Sequence, residues 1–341
     1  MPPSRRLWAR LPMQHRRSNN NGRRKLLSAL RDADDFVSGE DLGKIIGASR
    51  AAVWKHIKQL RAEGIVIDSV QNRGYRYSQE TDSLNPMLLS SEALDELDYD
   101  INYFLEIGST NAKAQELARD GSPHGTVVLS EVQKTGKGRL SRQWLSPKGG
   151  LWMSVVLRPK ISPTHAPFVT LMTGCALATA LNDQLGVDAR IKWPNDILIG
   201  GKKVCGILTE MDAEMQIINH IIIGMGMNVN NPLAKFPNGL RDTVTTLKEE
   251  TGKKVDRPKL LLAILTSLNS NLKKMQIPKG RKEVLNSWKD LSDTLGRKVR
   301  VEMVDGSVEG IAIDVDEEGA LLVEKAKGVI RVLSGDCVHL K

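Results

Sequence analysis

The sequence predicts an α+β fold in three parts: a helix-turn-helix head with a hairpin wing, a central mixed-sheet α/β domain, and a small C-terminal β-barrel. Three patterns carry that prediction. Apolar residues recur at helical spacing between Arg23 and about Gly64. Apolar strands and a long apolar helix alternate from about Asn102 to Asp290. After Leu295 the period drops to two, with Asp305-Gly306 and Glu318-Gly319 as hairpin turns. The boundaries that follow are a disordered basic tail at 1–21, the head at 22–80, the α/β domain at 81–293 and an SH3-like barrel at 294–341. With 341 residues, of which 40% are apolar, the chain can fill cores for all three.

The net charge of +9 is an N-terminal property. Arg5, Arg6, Arg10, Arg16, Arg17, Arg23, Arg24, Lys25 and Arg31 all precede the first acidic residue, Asp32, and the remaining 40 basic residues balance 40 acidic ones. That suggests a polyanionic partner for one end of the molecule. An acid-free basic N-terminus is also the composition of an organellar transit peptide, but Pro2, Pro3 and Pro12 disfavour the amphipathic helix that reading needs. Cys175, Cys205 and Cys337 stand far apart with no metal-ligand spacing, which argues against a disulfide framework or a metal site and for the reducing cytoplasm. The apolar run Phe168–Leu181, broken by threonines and a glycine, is too short to span a bilayer. It predicts a buried helix, and no membrane partner is expected.

In the head, RRKLLSALRDA places Leu26, Leu27 and Leu30 along one helix. Ser38 is the expected N-cap of a short second helix with apolar Leu42, Ile45 and Ile46, which Gly47 ends. Ser49 caps a third helix, SRAAVWKHIKQLRAEG. Two helices joined by a glycine turn make a helix-turn-helix, whose second helix starts at Arg50 and offers Lys55, His56 and Lys58 to phosphates and base edges. IVIDSV and GYRYS flank QNR as a wing. Ser38, Ser49, Arg50, Lys55, His56 and Lys58 are thus the candidate DNA-binding residues. An ordinary three-helix domain with solvated charges would share the pattern, but not its agreement with the basic tail and the wing. SQETDSLNPMLLSSEAL reads as a linker.

In the α/β domain, KTGKGRLSRQW (134–144) gathers Lys134, Lys137, Arg139 and Arg142 on a stretch kept flexible by Gly136 and Gly138. Such a loop is either solvated surface or a cradle whose counter-ion is an anionic ligand. It is not a Walker loop, because Glu131 stands where the first glycine belongs. IIIGMGMNVN fails the dinucleotide fingerprint, because Val229 replaces the third glycine. KWPND sets Lys192 at a strand end before a turn, and GSTN opens a helix with Ser109, Thr110 and Asn111. Each alone has a plainer reading, as a snorkelling lysine or a helix cap.

Taken in order, GSTN, EVQKTGKGRLSRQW, KWPND, KKVCGILTE and GMGMNVN resemble the catalytic domain of the biotin protein ligases. SGEDLGKIIGASRAAVWKHIKQL and NRGYRY resemble the winged helix of that family's bifunctional members, the biotin operon repressors. The resemblance covers about residues 23–341. It implies a central domain of the biotin/lipoate ligase type that makes biotinyl-5′-AMP and pyrophosphate from biotin and ATP, with Mg²⁺ on the nucleotide. The biotin then passes to a lysine in the biotin carboxyl carrier domain of a carboxylase. It also implies roles by motif. Ser109, Thr110, Asn111 and Gln133 would surround the biotin ureido ring; Lys137, Gly138 and Arg139 would close over biotin and its adenylate. Lys192 would touch the biotin carboxylate and the α-phosphate, while Arg142 and Asn228 would meet ATP.

The chemistry of that reaction suits those residue types. A carboxylate attacking a phosphate brings two anions together, so Lys192, Arg139 and Arg142 would act electrostatically and no side-chain nucleophile is needed. The resemblance further implies a homodimer formed on adenylate binding, whose heads bind operator DNA and repress biotin synthesis genes. One departure stands out: the family's loop usually begins Gly-Arg-Gly-Arg, and Lys137 here keeps the charge without the planar fork. Three alternatives remain beside this reading. A lipoate ligase would carry a glycine run flanked by Arg and His-Asp, which is not seen. A non-catalytic biotin sensor would not need Arg139, Arg142 and Lys192 as phosphate cations. The third is a ligase whose head regulates nothing.

Overall fold

The structure is a computed structural model that describes residues 13–89, 96–214 and 217–340. It forms two compact units, which part between Met87 and Leu88.

The first unit holds three helices, α1 (Met13–Arg31), α2 (Gly39–Ile46) and α3 (Arg50–Ala62), and a hairpin of β1 (Ile67–Val70) and β2 (Gly74–Tyr77). The helix α1 starts inside the stretch for which the sequence predicts a disordered tail. Pro12 is tolerated ahead of a helix, and no proline follows it until Pro86. Residues 1–12 of that tail lie outside the described residues. Leu26, Leu27 and Leu30 are buried together with Leu42, Val53, Ile57 and Leu60. Ile45, expected in that core, is 50% exposed. A helix of two turns buries one side only, and Gly39, Leu42 and Gly43 take it. Gly47 ends α2 in the left-handed conformation and Ser49 caps α3, so the turn is two caps back to back. Arg73 and Arg76 of the wing stack their guanidinium groups on Phe36, which precedes α2, 4.6 and 4.7 Å from its ring centre.

The second unit is built on a seven-stranded mixed sheet. Its strands are β3 (Asp100–Phe104), β4 (Thr126–Ser130), β5 (Leu151–Leu157), β6 (Ala189–Lys192), β7 (Asp196–Ile199), β8 (Lys202–Glu214) and β9 (Ile217–Met227). They lie in the order β3-β4-β5-β9-β8-β7-β6, antiparallel throughout except for the β3–β4 pair. The helix α4 (Thr110–Arg119) buries Ala114 and Ala118 against Val128, Val156 and Ile222. The helix α5 (Ala166–Leu185) is the apolar run expected from the sequence; the stretch Pro163–Leu185 is long and apolar enough to cross a membrane, and 72% of its most apolar window is buried in this unit. Further helices follow as α6 (Asn238–Arg241), α7 (Leu247–Thr251), α8 (Arg257–Met275) and α9 (Pro278–Leu291).

The chain ends in five antiparallel strands, β10 (Lys298–Met303), β11 (Gly306–Val315), β12 (Leu321–Lys325), β13 (Gly328–Val332) and β14 (Asp336–His339), ordered β13-β12-β11-β10-β14. The turns fall at the two glycines the sequence marks, Gly306 and Gly319, both with positive φ. This barrel is fastened to the α/β domain: the Trp193 indole N–H donates to Gly319 O at 3.1 Å, and Lys289 pairs with Asp314 at 2.7 Å.

Candidate active site and nucleic-acid face

A cleft of about 660 Å³ lies among the ends of β6–β9, the 133–145 loop and the edge of the barrel. It brings together all ten of the ligand residues singled out from the sequence: Ser109, Thr110, Asn111, Gln133, Lys137, Gly138, Arg139, Arg142, Lys192 and Asn228.

At one end the cleft is neutral and rich in hydrogen bonds. Ser109 caps α4 by accepting from Ala112 N at 3.4 Å. Gln133 Oε1 accepts from Thr110 N and Oγ1 at 2.8 and 3.0 Å, and its Nε2 donates to Ser146 Oγ at 2.9 Å. Ser154 Oγ lies 2.8 Å from Thr110 Oγ1 and 2.5 Å from Asn111 Oδ1. Asn111 Nδ2 donates to Glu210 Oε2 at 2.7 Å, so both ends of this carboxamide are engaged by protein. Asn111 therefore braces the turn from below, while Ser109, Thr110 and Gln133 form the polar rim.

The floor explains the glycines of β9. Gly206 and Gly226 face each other across β8 and β9, and the Trp144 indole lies over both. A Cβ at Gly226 would sit 2.4 Å from the indole nitrogen, and one at Gly224 would sit 2.1 Å from Asn111 Oδ1. These residues are strand, not a phosphate-binding turn; they are glycine because side chains from elsewhere occupy the space of their own. Above the Trp144 ring, at 5.1 Å, sits the Lys203 ammonium, which also pairs with Asp196 at 2.6 Å. Sequence reasoning assigned no role to Trp144 or Lys203. The signal was there in the alternate glycines of β9 and the tryptophan closing the basic loop.

The other end is cationic. Lys192, the last residue of β6, lies close enough to the barrel for its charge to reach Cys337, whose thiol burial pushes up to about 11 against that charge, and His339. Arg139 donates to Asn195 Oδ1 at 3.1 Å, and burial draws its pKa below the ordinary guanidinium range against the pull of Asp336 and Asp196. Part of the loop's charge is compensated by protein carboxylates, which corrects the sequence reading. Arg142 pairs with Asp336 of the barrel at 2.7 Å and Lys134 with Glu106 at 2.6 Å, acids too distant in sequence to be linked to the loop by pattern. Between the arginines, Leu140 and Ser141 hold φ of 53° and 57°, two successive side-chain-bearing residues in the left-handed region. Asn228 is buried and accepts from Asn231 Nδ2 at 3.3 Å; Phe236, Leu240 and Val244 give this end an apolar wall. On the barrel side, His339 Nε2 lies 3.1 Å from Thr294 Oγ1 and its Nδ1 3.5 Å from Asp293. Burial and the Lys192 charge push this imidazole down to about 4.

On the head, Ser38 and Ser49 spend their hydroxyls on capping, accepting from Asp41 N at 3.1 Å and Ala52 N at 3.3 Å. Arg50, Lys55 and Lys58 are exposed. His56 is not on that face: it is half-buried, and its Nε2 lies 3.7 Å from the position of a Cβ on Gly22 of α1. The cause is helical spacing, since position 56 stands three after Val53 and four before Leu60, both buried. Trp54 takes its place at 57% exposure, with the Lys58 ammonium 5.3 Å from its ring. Sequence reading passed over it because a tryptophan in a helix usually marks core.

Comparison with known proteins agrees with this geometry. Residues 104–228 match the biotin/lipoate A/B protein ligase family, residues 23–76 an HTH domain, and residues 294–340 the biotin protein ligase C-terminal domain. The chain is 36% identical over 305 residues to the bifunctional ligase/repressor BirA of Bacillus subtilis, covering 89% of this chain and 94% of that one. It is 31% identical over 321 residues to the BirA of Escherichia coli, covering 93% and 96%. Among solved structures, the biotin protein ligase from Aquifex aeolicus in complex with biotin and ATP superposes with a TM-score of 0.62 at 31% identity, over 70% of this chain and 97% of that one. Fold and cleft thus define a class, the ligase domains of the biotin/lipoate type, here carried behind a helix-turn-helix head. Within that class, the chain belongs to the family of bifunctional biotin ligase/repressors.

Proposed function

We propose that this chain is a biotin protein ligase that also represses transcription, with biotinyl-5′-AMP as both reaction intermediate and corepressor. The observation that carries the reading is the polarity of one cleft. A neutral hydrogen-bonding rim (Ser109, Thr110, Gln133) suits the biotin ureido ring, and the flat Trp144 floor suits its apolar body. The cations Lys203, Lys192, Arg139 and Arg142 stand where a carboxylate and phosphates would meet.

In the first step a biotin carboxylate oxygen bonds to the α-phosphorus of ATP, and the bond to the β-phosphate breaks. Pyrophosphate leaves with its Mg²⁺, which enters as part of the nucleotide substrate. Lys203 is held over the floor by Asp196, and Lys192 stands at the strand end; together they offset the two anions that must approach, with Arg139 and Arg142 at the phosphates. Phe236, Leu240 and Val244 form the wall for the purine, beside Asn228. The loop closing through Lys137, Gly138 and Arg139 would keep water from the mixed anhydride. In the second step a neutral lysine amine of the carboxyl carrier domain attacks the anhydride carbonyl, and AMP leaves.

The head supports the second activity: Arg50, Lys55 and Lys58 lie on the exposed side of α3, where phosphates and bases of an operator would be met. The reading places the protein in the cytoplasm, forming a homodimer when the adenylate is bound, as paired half-sites require. Incubating the chain with biotin and ATP should release pyrophosphate, and lipoate in place of biotin should not. Release with lipoate alone would transfer the assignment to the lipoate branch, and no release with either would favour a non-catalytic sensor.

A further inference from the structure

The cleft has two arms, which leave β4 and β9 on either side of β5. One runs through Glu131 to Gln133; the other runs from β9 through Asn228 to Asn231. A buried circuit outside the cleft joins them. Arg257, the first residue of α8, is fully buried; its Nη2 pairs with Glu131 Oε2 at 2.9 Å and its Nη1 donates to Gly150 O at 2.7 Å. Tyr103 donates its hydroxyl to the other Glu131 oxygen at 3.0 Å. Two residues before Arg257, the Val255 backbone is bracketed by Asn230, whose Oδ1 accepts from Val255 N at 2.9 Å and whose Nδ2 donates to Val255 O at 2.8 Å. Asn230 N in turn donates to Gly149 O at 2.8 Å, and Asn231 holds both Val229 N and the Asn228 side chain.

The circuit closes on itself through Arg257, Gly150–Gly149, Asn230 and Val255, and Glu131 is tied to it at Arg257. None of these residues except through its neighbours reaches the cleft. A fully desolvated guanidinium adds little net stability, since a buried ion pair can often be replaced by apolar side chains of similar size at no loss. Its geometry is another matter: one rigid fork fixes Glu131 and Gly150 at set distances, which neighbouring apolar groups would not do.

We infer that Arg257 is a positioning residue for adenylation: through Glu131 and Gly150 it sets the spacing between the arm that holds biotin and the arm that holds the nucleotide. The inference rests on the ligase reading above. When two bound reactants must come into line, a shift of about 1 Å far from the chemistry can slow the reaction about a hundredfold. Biotin bound alone is held by the rim and the Trp144 floor and needs no such alignment.

The test compares the full chain with Arg257→Met and with Glu131→Met/Arg257→Met, which removes both charges of the pair. Three quantities are measured: biotin affinity without ATP, the fraction of competent sites from the burst of adenylate, and the single-turnover rate of adenylate formation per competent site. The expected result is a rate per site at least tenfold lower in the double variant with biotin affinity within threefold of the parent. A merely structural pair would lower the fraction of competent sites and leave the rate per site unchanged, and that result would overturn the inference. If neither variant folds, Glu131→Gln, equal in size to the original, takes their place: a slower rate per site supports the inference and an unchanged one overturns it. Absence of adenylate in the parent chain would instead strike the ligase reading itself.

Discussion

Two lysines line the cleft, and their surroundings differ. Lys203 is fixed over the Trp144 ring and against Asp196, while Lys192 lies at the rim where β6 meets the barrel. Losing a preorganised cation of this kind costs on the order of 3 kcal/mol in a barrier, about a hundredfold in rate. Lys203→Ala and Lys192→Ala should therefore each slow pyrophosphate release by about that factor with the fold intact; a near-normal rate for either removes that lysine from the chemistry. Only Lys192 was legible beforehand, because it ends a strand before a turn, whereas Lys203 sits in a two-lysine run that gives no hint which side chain points inward. His339 makes a second prediction. Its ordinary pKa of 6.5 applies in the unfolded chain, and the folded value is about 4. Between those values the unfolded chain binds a proton the native protein refuses, so stability is full above about pH 6.5 and falls as the pH drops toward 4. The loss is at most on the order of 3 kcal/mol. Thermal midpoints should fall between pH 7 and pH 5, and His339→Gln should flatten that slope; an unchanged slope would mean another group is responsible.

At the scale of elements, the basic loop is held by weak contacts. Its Arg142–Asp336 pair is solvent-exposed, and such pairs are worth about 0–1 kcal/mol, so a phosphate can displace the aspartate. Leu140 and Ser141 store on the order of 1 kcal/mol each in left-handed backbone that a rearranged loop would release. Arg139→Gly should thus leave the loop open over the intermediate, and adenylate should escape to label unrelated lysines. Mass spectrometry of a mixture with bystander protein checks this; labelling still confined to the carrier lysine would show that the loop is not the gate. The loop's composition and flexibility could be read from its glycines, but its protein partners could not, since Asp336 is almost two hundred residues away. The helix-turn-helix was legible because its caps are local chemistry. RIKWPNDILI was legible as well: KWPND marks a strand end and a turn, and the segment folds as the hairpin of β6 and β7 around Trp193-Pro194-Asn195.

At the scale of the whole molecule, two compact units imply two separable activities. A chain beginning at Leu88 should still release pyrophosphate and lose all site-specific DNA binding. The full chain should protect an operator only when biotin and ATP, or the adenylate, are present. Because Arg50, Lys55 and Lys58 would meet phosphates, that binding should weaken steeply with salt, the logarithm of affinity falling by about 0.9 per neutralised phosphate for each decade of salt. Ligation without any adenylate-dependent footprint would leave a ligase whose head regulates nothing. The three-part architecture was visible from the change of hydrophobic period alone, but the docking of the barrel against the cleft was not. Its contacts, Trp193 to Gly319 and Arg142 to Asp336, join residues that no local periodicity relates.

The indole laid across two facing glycines has an optical consequence. Trp144 is one of six tryptophans, and a primary ammonium stands over its ring at 5.1 Å. A ligand carboxylate that meets Lys203 offsets its charge and changes the field felt by the excited indole. The cleft thus carries its own emission reporter, and biotin titration should shift the protein's fluorescence without any added dye. Trp144→Phe should abolish that shift while the other five tryptophans continue to emit; a shift that survives the substitution would place its origin elsewhere.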